Sequence, residues 1–227
     1  MPVNIHPIHL GLDQCYLLQG EGVILIDGGE SGKADLFRRA IDGLSIDPGE
    51  IQLIVLTHGH WDHIGSARDI KQLTGAKIAM HERDRLLLEK PQRPPPLPPG
   101  VTAWGRLLIR MFAVYARSVE IPATAVDIVL DDEGLPLAEF GIPGRVIYTP
   151  GHSLGSVSIL LETGEAFVGD LAISQPPVRF SPGLSIFAED IEEVKQSCRV
   201  LLDLGAETIY PAHGKPFAAA LLRRAVM

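Results

Sequence analysis

The sequence predicts an α/β domain, and three observations carry that reading. Short apolar runs suited to strands alternate with stretches of helical period, and around residues 51–80 they fall in strand, helix, strand order. The chain has 227 residues and 46% hydrophobic content, enough for one well-buried core. Several of the expected strands also end in a loop carrying His or Asp, where a rigid sheet lets loops converge on a site. One domain spanning residues 1–227 is therefore expected.

Charge and cysteine usage narrow the class. A formal net charge of -8 and a pI near 5.4 argue against neutralising a phosphate backbone, so nucleic acid is not an expected partner. Cys15 and Cys198 form neither a disulfide framework nor a CxxC pair, which fits a reducing compartment. The N-terminus has no basic segment followed by an apolar one, and no apolar run reaches the length of a membrane span. A soluble cytoplasmic protein is the expectation.

In chain order, strands are expected at Ile5 to Leu10, Cys15 to Gln19 and Val23 to Ile26, closing at Asp27-Gly28-Gly29. Asp27 reads equally as a turn residue and as a carboxylate holding a neighbouring loop. A helix over Lys33 to Leu44, capped by Ser31, places Ala34, Phe37, Ala40, Ile41 and Leu44 on one side. The apolar run 51–56 reads as a buried strand, followed by a helix at Ile64 to Leu73 and a strand at Lys77 to Met80. His81 to Asp84 open a further helix that buries Leu86, Leu87 and Leu88, and His81 reads as a helix-start residue, having no partner at chelating spacing. Six prolines between Pro91 and Pro99 then exclude both helix and central strand. Beyond them Ala103 to Val119 is amphipathic, with Trp104, Leu107, Leu108, Met111, Phe112 and Tyr115 at helical spacing and Arg106, Arg110 and Arg117 largely on another face. The insertion at about 91–119 is expected to form a cap over a site, with core packing, a dimer contact and a membrane-surface contact as the other uses of such a stripe. The second half continues with strands near 127–130, 145–148, 157–161 and 166–168, a helix over Glu189 to Leu204 and a strand at Thr208 to Tyr210.

The chemistry concentrates at Thr57-His58-Gly59-His60-Trp61-Asp62-His63. Residues two apart at a strand end point the same way, so His58 and His60 can chelate one ion. A turn at Gly59 passing into a helix can swing Asp62 and His63 toward a second spot. His152, Asp170 and His213 each follow a strand end, giving seven potential ligands: His58, His60, Asp62, His63, His152, Asp170 and His213. Imidazole and carboxylate without thiolate suit Zn, Fe or Mn, and a carboxylate can bridge two ions.

The order THGHWDH, PGHSLGS, GD and PAHG resembles the metallo-β-lactamase superfamily across nearly the whole chain. The resemblance implies a four-layer αββα sandwich with the site along one edge of two sheets. It implies that His58, His60 and His152 hold one metal, Asp62, His63 and His213 the other, and that Asp170 bridges them. The true β-lactamases of that superfamily typically carry a cysteine where Asp170 stands, and lactonases a tyrosine where Ile173 stands. The ligand set is most like that of glyoxalase II, whose helical glutathione-binding extension and segment after the bridging aspartate are not matched here.

The expected activity is metal-dependent hydrolysis of an activated acyl bond, thioester ahead of lactone or ester, by a water activated between two divalent ions, Zn ahead of Fe or Mn. Asp62 and Asp170 are the residues assigned to catalysis, Asp62 as a candidate proton shuttle. The expected partner is a small molecule with an apolar acyl group, received by the cap, with Arg106 or Arg110 meeting an anionic headgroup. A mononuclear-iron persulfide dioxygenase and a phosphodiesterase on the same fold are the alternatives.

Overall fold

The structure is a computed structural model that describes residues 2–90, 97–116 and 118–226. Most of the predicted proline arm and Arg117 lie outside the described residues. The first half contains β1 (Asn4–His9), β2 (Gln14–Gln19), β3 (Val23–Ile26), α1 (Ala34–Gly43), β4 (Ile51–Val55), α2 (Trp61–Ile64), α3 (Ala67–Thr74), β5 (Lys77–His81), α4 (Arg85–Glu89), α5 (Ala103–Ala116) and β6 (Ile128–Leu130). The second half contains β7 (Leu135–Pro136), β8 (Gly144–Tyr148), β9 (Val157–Leu161), β10 (Glu165–Phe167), β11 (Ala172–Ser174), β12 (Gly183–Leu184), α6 (Ile191–Asp203), β13 (Thr208–Tyr210), β14 (His213–Gly214), β15 (Phe217–Ala218) and α7 (Ala220–Val226).

Strands β1 to β6 form one sheet in chain order, antiparallel from β1 to β3 and parallel from β3 to β6. A second sheet runs β15-β13-β10-β9-β8-β7, and β12-β11-β14 form a small third. Successive side chains of a strand face opposite ways, and here both faces are apolar. Leu17, Leu25 and Ile54 pack under Phe37 and Ile41 of α1 and Ile70 of α3. Their neighbours Leu18, Ile24, Ile26, Leu53 and Val55 meet Val146, Ile159, Leu161 and Phe167 of the second sheet. On that sheet's far face, Ala166 and Ile209 are covered by Val194, Cys198 and Leu201 of α6 and Leu222 of α7. Helix, sheet, sheet, helix is thus the order of layers, the αββα sandwich implied by the sequence.

Several local expectations are corrected. Ser31 does not cap α1, whose N-cap is Lys33; the Ser31 hydroxyl donates instead to Glu120 O at 2.6 Å. The single helix expected over Ile64 to Leu73 is two, because Ser66 turns aside to serve the loop before α1. Its amide donates to Gly29 O, its hydroxyl donates to Glu30 O, and it accepts from Lys33 N. Leu44 and Leu86, expected inward, are exposed. His81 ends β5 rather than starting a helix, buried with its ring stacked on Tyr148 and Nε2 3.2 Å from Asp132. Helix α5 stops at Ala116 instead of running to Val119. It is seated through Gly105, where a side chain would collide with Ile186 O, and through buried Leu108. Trp104, Leu107, Met111, Val114 and Tyr115 of the same helix are exposed, so it presents apolar surface outward as well as inward.

Candidate metal centre

The loops after β3, β4, β8, β10 and β13 converge, and all seven expected side chains come together. Three groups have candidate ligand atoms within 4.8 Å of one another: His58, His60 and His152; His58, His63 and Asp170; and Asp62, His63 and His213. Asp62 and His63 occupy the first turn of α2, with the His63 amide donating to His60 O at 3.0 Å. That turn separates two neighbours that would diverge along a strand.

The spacing within the cluster suits a shared cation. Asp170 Oδ1 lies 3.3 Å from His213 Nε2 and 3.5 Å from His63 Nε2, while Oδ2 lies 3.6 Å from His152 Nε2. Asp62 Oδ2 is 3.5 Å from His213 Nε2. Two ligands bonded at ~2.1 Å in a tetrahedral site stand about 3.4 Å apart. His58 Nε2, His63 Nε2 and Asp170 Oδ1 are buried without a hydrogen-bond partner, a costly state that a bound cation relieves. The donor set and these orphaned atoms therefore fit divalent metal ions.

His63, His152 and His213 are fixed from behind, which sets which nitrogen faces inward. Asp27, held at φ +63°, accepts from Thr57 N at 2.8 Å and from the Thr57 hydroxyl, and lies 2.9 Å from His63 Nδ1. It is thus the loop-holding carboxylate, not merely a turn residue. His152 Nδ1 is 2.9 Å from Phe187 O and His213 Nδ1 is 3.2 Å from Leu12 O. One residue to which the sequence reading gave no role at the site ties the loops to each other. Buried Asp84 accepts from Gly59 N at 2.9 Å, from the Ser153 hydroxyl at 2.8 Å and from Gly155 N at 3.1 Å. A side chain at Gly155 would run into Asp84. An aspartate just before a helix reads as a cap, and nothing local shows that its carboxylate turns away to bridge two distant loops.

Electrostatics divides the cluster in two. Burial, reinforced by neighbouring imidazoles, pushes His58 well below its ordinary pKa and His60 down to about 3. Burial also lowers His152. For His63 burial works the same way but is outweighed by Asp27 and Asp170, and for His213 by Asp170 and Asp62, so both are held well above the usual range. Burial would raise Asp170, but the charges of His213 and His63 bring it well below an ordinary carboxylic acid. The His58, His60 and His152 group is thus already neutral at pH 7, whereas His63 and His213 carry protons that a cation has to displace. Acidifying from pH 7 is expected to empty the Asp62, His63 and His213 group first, because there protons compete above pH 6.5. Metal content per chain after equilibration at pH 7 and pH 5.5 is expected to fall in part and not to zero; complete loss in a single step refutes this. In the metal-free protein the signs oppose. The depressed imidazoles lose their contribution to stability as pH falls below 6.5, while the raised ones contribute most there and lose it as pH climbs through their folded pKa values.

Beside the cluster lies a pocket of about 250 Å³ whose lining is mostly apolar, including Leu108, Ile109 and Phe112 of α5 with Ile173 and Phe187, and to which His60, Asp62, His152, Asp170 and His213 contribute. Trp104, Tyr115, Arg106 and Arg110 do not line it; both arginines are exposed. The helix turns both arginines to solvent, so neither reaches into this pocket.

An αββα sandwich with a His/Asp cluster fit for divalent cations is the class that fold and site define. The metallo-beta-lactamase superfamily profile matches residues 11–213, and the chain belongs to that superfamily. The Beta-lactamase-like protein 2 homolog of Drosophila melanogaster is 30% identical over 206 residues, covering 88% of this chain and 57% of that protein, so the chain spans little more than half of it. The hydroxyacylglutathione hydrolase GloC of Haemophilus influenzae is 27% identical over 175 residues, covering 75% of this chain and 72% of that one. Among solved structures, TTHA1623 in a di-iron-bound form superposes with a TM-score of 0.68 at 25% identity, covering 95% and 96% of the two chains. No helix among the described residues is long and apolar enough to cross a membrane.

Proposed function

We propose that the protein is a metal-dependent hydrolase of small molecules with an activated acyl bond, thioester ahead of lactone or ester. The observation that carries this reading is the position of Asp170, which faces imidazoles of both groups and an apolar pocket. His58, His60 and His152 would hold one ion and Asp62, His63 and His213 the other, with Asp170 between them. Zinc is the first choice for this donor set, with iron, as in the di-iron-bound neighbour, or manganese next. When bound, such ions supply Lewis acidity toward a carbonyl oxygen and a water that ionises near pH 7. The acyl carbon gains the oxygen of water and its bond to sulfur or oxygen breaks. A carboxylate, a thiol or alcohol, and a proton leave. Asp62 faces the pocket and is placed to carry that proton, although His213 keeps it a weak base. The described lining of the pocket has no serine, threonine, cysteine or lysine to act as a nucleophile: Ser153 is engaged with Asp84 and Ser156, and Cys15 and Cys198 are buried outside that lining. The Haemophilus relative, by name a hydrolase of hydroxyacylglutathione, supports the acyl reading.

Metal content of the purified protein, with turnover on thioesters, lactones and phosphodiesters, tests this. Two ions per chain with thioesters or lactones preferred is the expected result. A phosphodiester preference, or one tightly bound iron at full activity with persulfide oxidation, overturns it.

The segment at about 91–119 is proposed to act as a cap on a single domain. Met111 is 62% exposed and Phe112 half-buried edge-to-face with Phe187, so the double change Met111→Ala/Phe112→Ala is expected to leave a folded protein. It should lower kcat/KM on long acyl chains by roughly 10- to 100-fold, the value of 1.5–3 kcal/mol for one large apolar contact, and change acetyl substrates little. Melting temperature, association state and kinetics on short and long chains check this together. A collapse in melting temperature with uniform loss assigns the residues to the core, and dissociation of a dimer with unselective loss assigns them to a subunit contact.

A further inference from the structure

Leu12 and Gln175 line both of two neighbouring hollows, the first of which reaches the centre. The first is the α5 pocket. Among its described lining residues the ionisable groups are those of the cluster itself, and none is a lysine or arginine. A charged acyl terminus there would be desolvated without a partner, and a negative one would also face Asp62 and Asp170. The second is a groove of about 560 Å³ beside His213, formed in part by Ala212 and Gly214 on either side of it. His9, Gln14, Ser174, Gln175 and Lys215 contribute polar groups, and no acidic residue is among its described lining, although the chain carries a net charge of -8.

Resting on the hydrolase reading above, we propose that the two hollows divide the substrate. An uncharged apolar acyl tail enters the α5 pocket, and a polar leaving group, preferably anionic, lies in the groove beside Lys215. The scissile carbonyl then lies at Asp170 and His213, which line the first hollow, and the leaving group passes Leu12 and Gln175, which line both, into the groove. Burial of the tail sets selectivity for acyl length. Attraction to Lys215 sets a weaker, salt-sensitive preference for a negative leaving group, because Lys215 is exposed.

Uncleavable thioethers separate binding from turnover. Two series are prepared by S-alkylation, one of 3-mercaptopropionate and one of 2-mercaptoethanol, and titrated by calorimetry into the metal-loaded protein. Affinity in both series is expected to rise about fourfold per added methylene, the ~0.8 kcal/mol of a buried CH₂, until the pocket is full. A carboxylate at the far end of the alkyl chain should abolish the gain. Lys215→Glu should weaken the mercaptopropionate series about fivefold, roughly the 1 kcal/mol upper range for an exposed ion pair, and leave the mercaptoethanol series unchanged. Ile109→Phe should shorten the alkyl length at which the gain stops without altering the charge preference. Affinity independent of chain length, or an equal effect of Lys215→Glu on both series, overturns the division. If both binding patterns appear and no corresponding thioester is cleaved, the hydrolase reading fails while the division of the site stands. Cleavage without either pattern has the opposite meaning.

Discussion

Replacing Asp170 with Asn is expected to strip both metal ions and lower turnover by on the order of 10³-fold, the scale of losing a fixed electrostatic group at a reacting centre. Its two oxygens face different imidazoles: Oδ1 is 3.3 Å from His213 and 3.5 Å from His63, and Oδ2 is 3.6 Å from His152. An amide keeps the shape but removes the negative charge and turns one of these atoms into a donor. Both groups then lose a ligand at once. His63→Ala is the contrast, since it leaves His58, His60, His152 and Asp170 intact and should reduce occupancy toward one ion per chain. Atomic spectrometry on both variants, folded by circular dichroism, reads the difference. Full occupancy in Asp170→Asn would show that Asp170 is not shared.

The other large effect is expected at Asp84, which contacts no substrate and acts by positioning. Asp84→Ala leaves Gly59 N, Gly155 N and the Ser153 hydroxyl without their acceptor. Unpaired buried donors cost about 1–3 kcal/mol each, so a loss of about 3–5 kcal/mol in stability is expected. Metal affinity should fall about 10- to 100-fold, as when the outer partners of a metal site are removed. Asp84→Asn, which retains one acceptor oxygen, should recover part of both. Urea denaturation and metal titration are to be run on the same samples. Destabilisation with unchanged affinity would make Asp84 a fold residue with no bearing on the centre.

The cluster was legible in the sequence because metal chemistry favours a few residue types and His58, His60, Asp62 and His63 fall within six positions. The layers followed from the resemblance of the motif order, and the structure shows apolar runs such as Leu17-Leu18 and Leu25-Ile26 supplying both faces of the buried sheet. What holds the ligands was only half legible. The partners of His152 and His213 are the backbone carbonyls of Phe187 and Leu12, and a carbonyl leaves no signature in the residue type. Strands β11 and β14 were missed because they are two or three residues long and exist through pairing of Ile173 with His213, far away in the chain. The pattern over α5 located an amphipathic helix, but periodicity alone does not distinguish apolar residues that line a pocket from those that face water. Leu108 lines the pocket, whereas its neighbour Leu107 is half exposed and does not.

The carboxylate strap at Asp84 also bears on the order in which the molecule forms. It joins residues 25, 69 and 71 positions apart, and His213 meets Leu12 across 201. Contacts of such separation are reached only after the entropy of closing the intervening loops has been overcome, so they form slowly and on an existing framework. Before that point the chain offers only isolated groups, such as His58 with His60, which hold a divalent ion weakly. On the proposed reading, tight metal uptake would then mark the completion of folding, since the three candidate groups come together only when these distant loops have met.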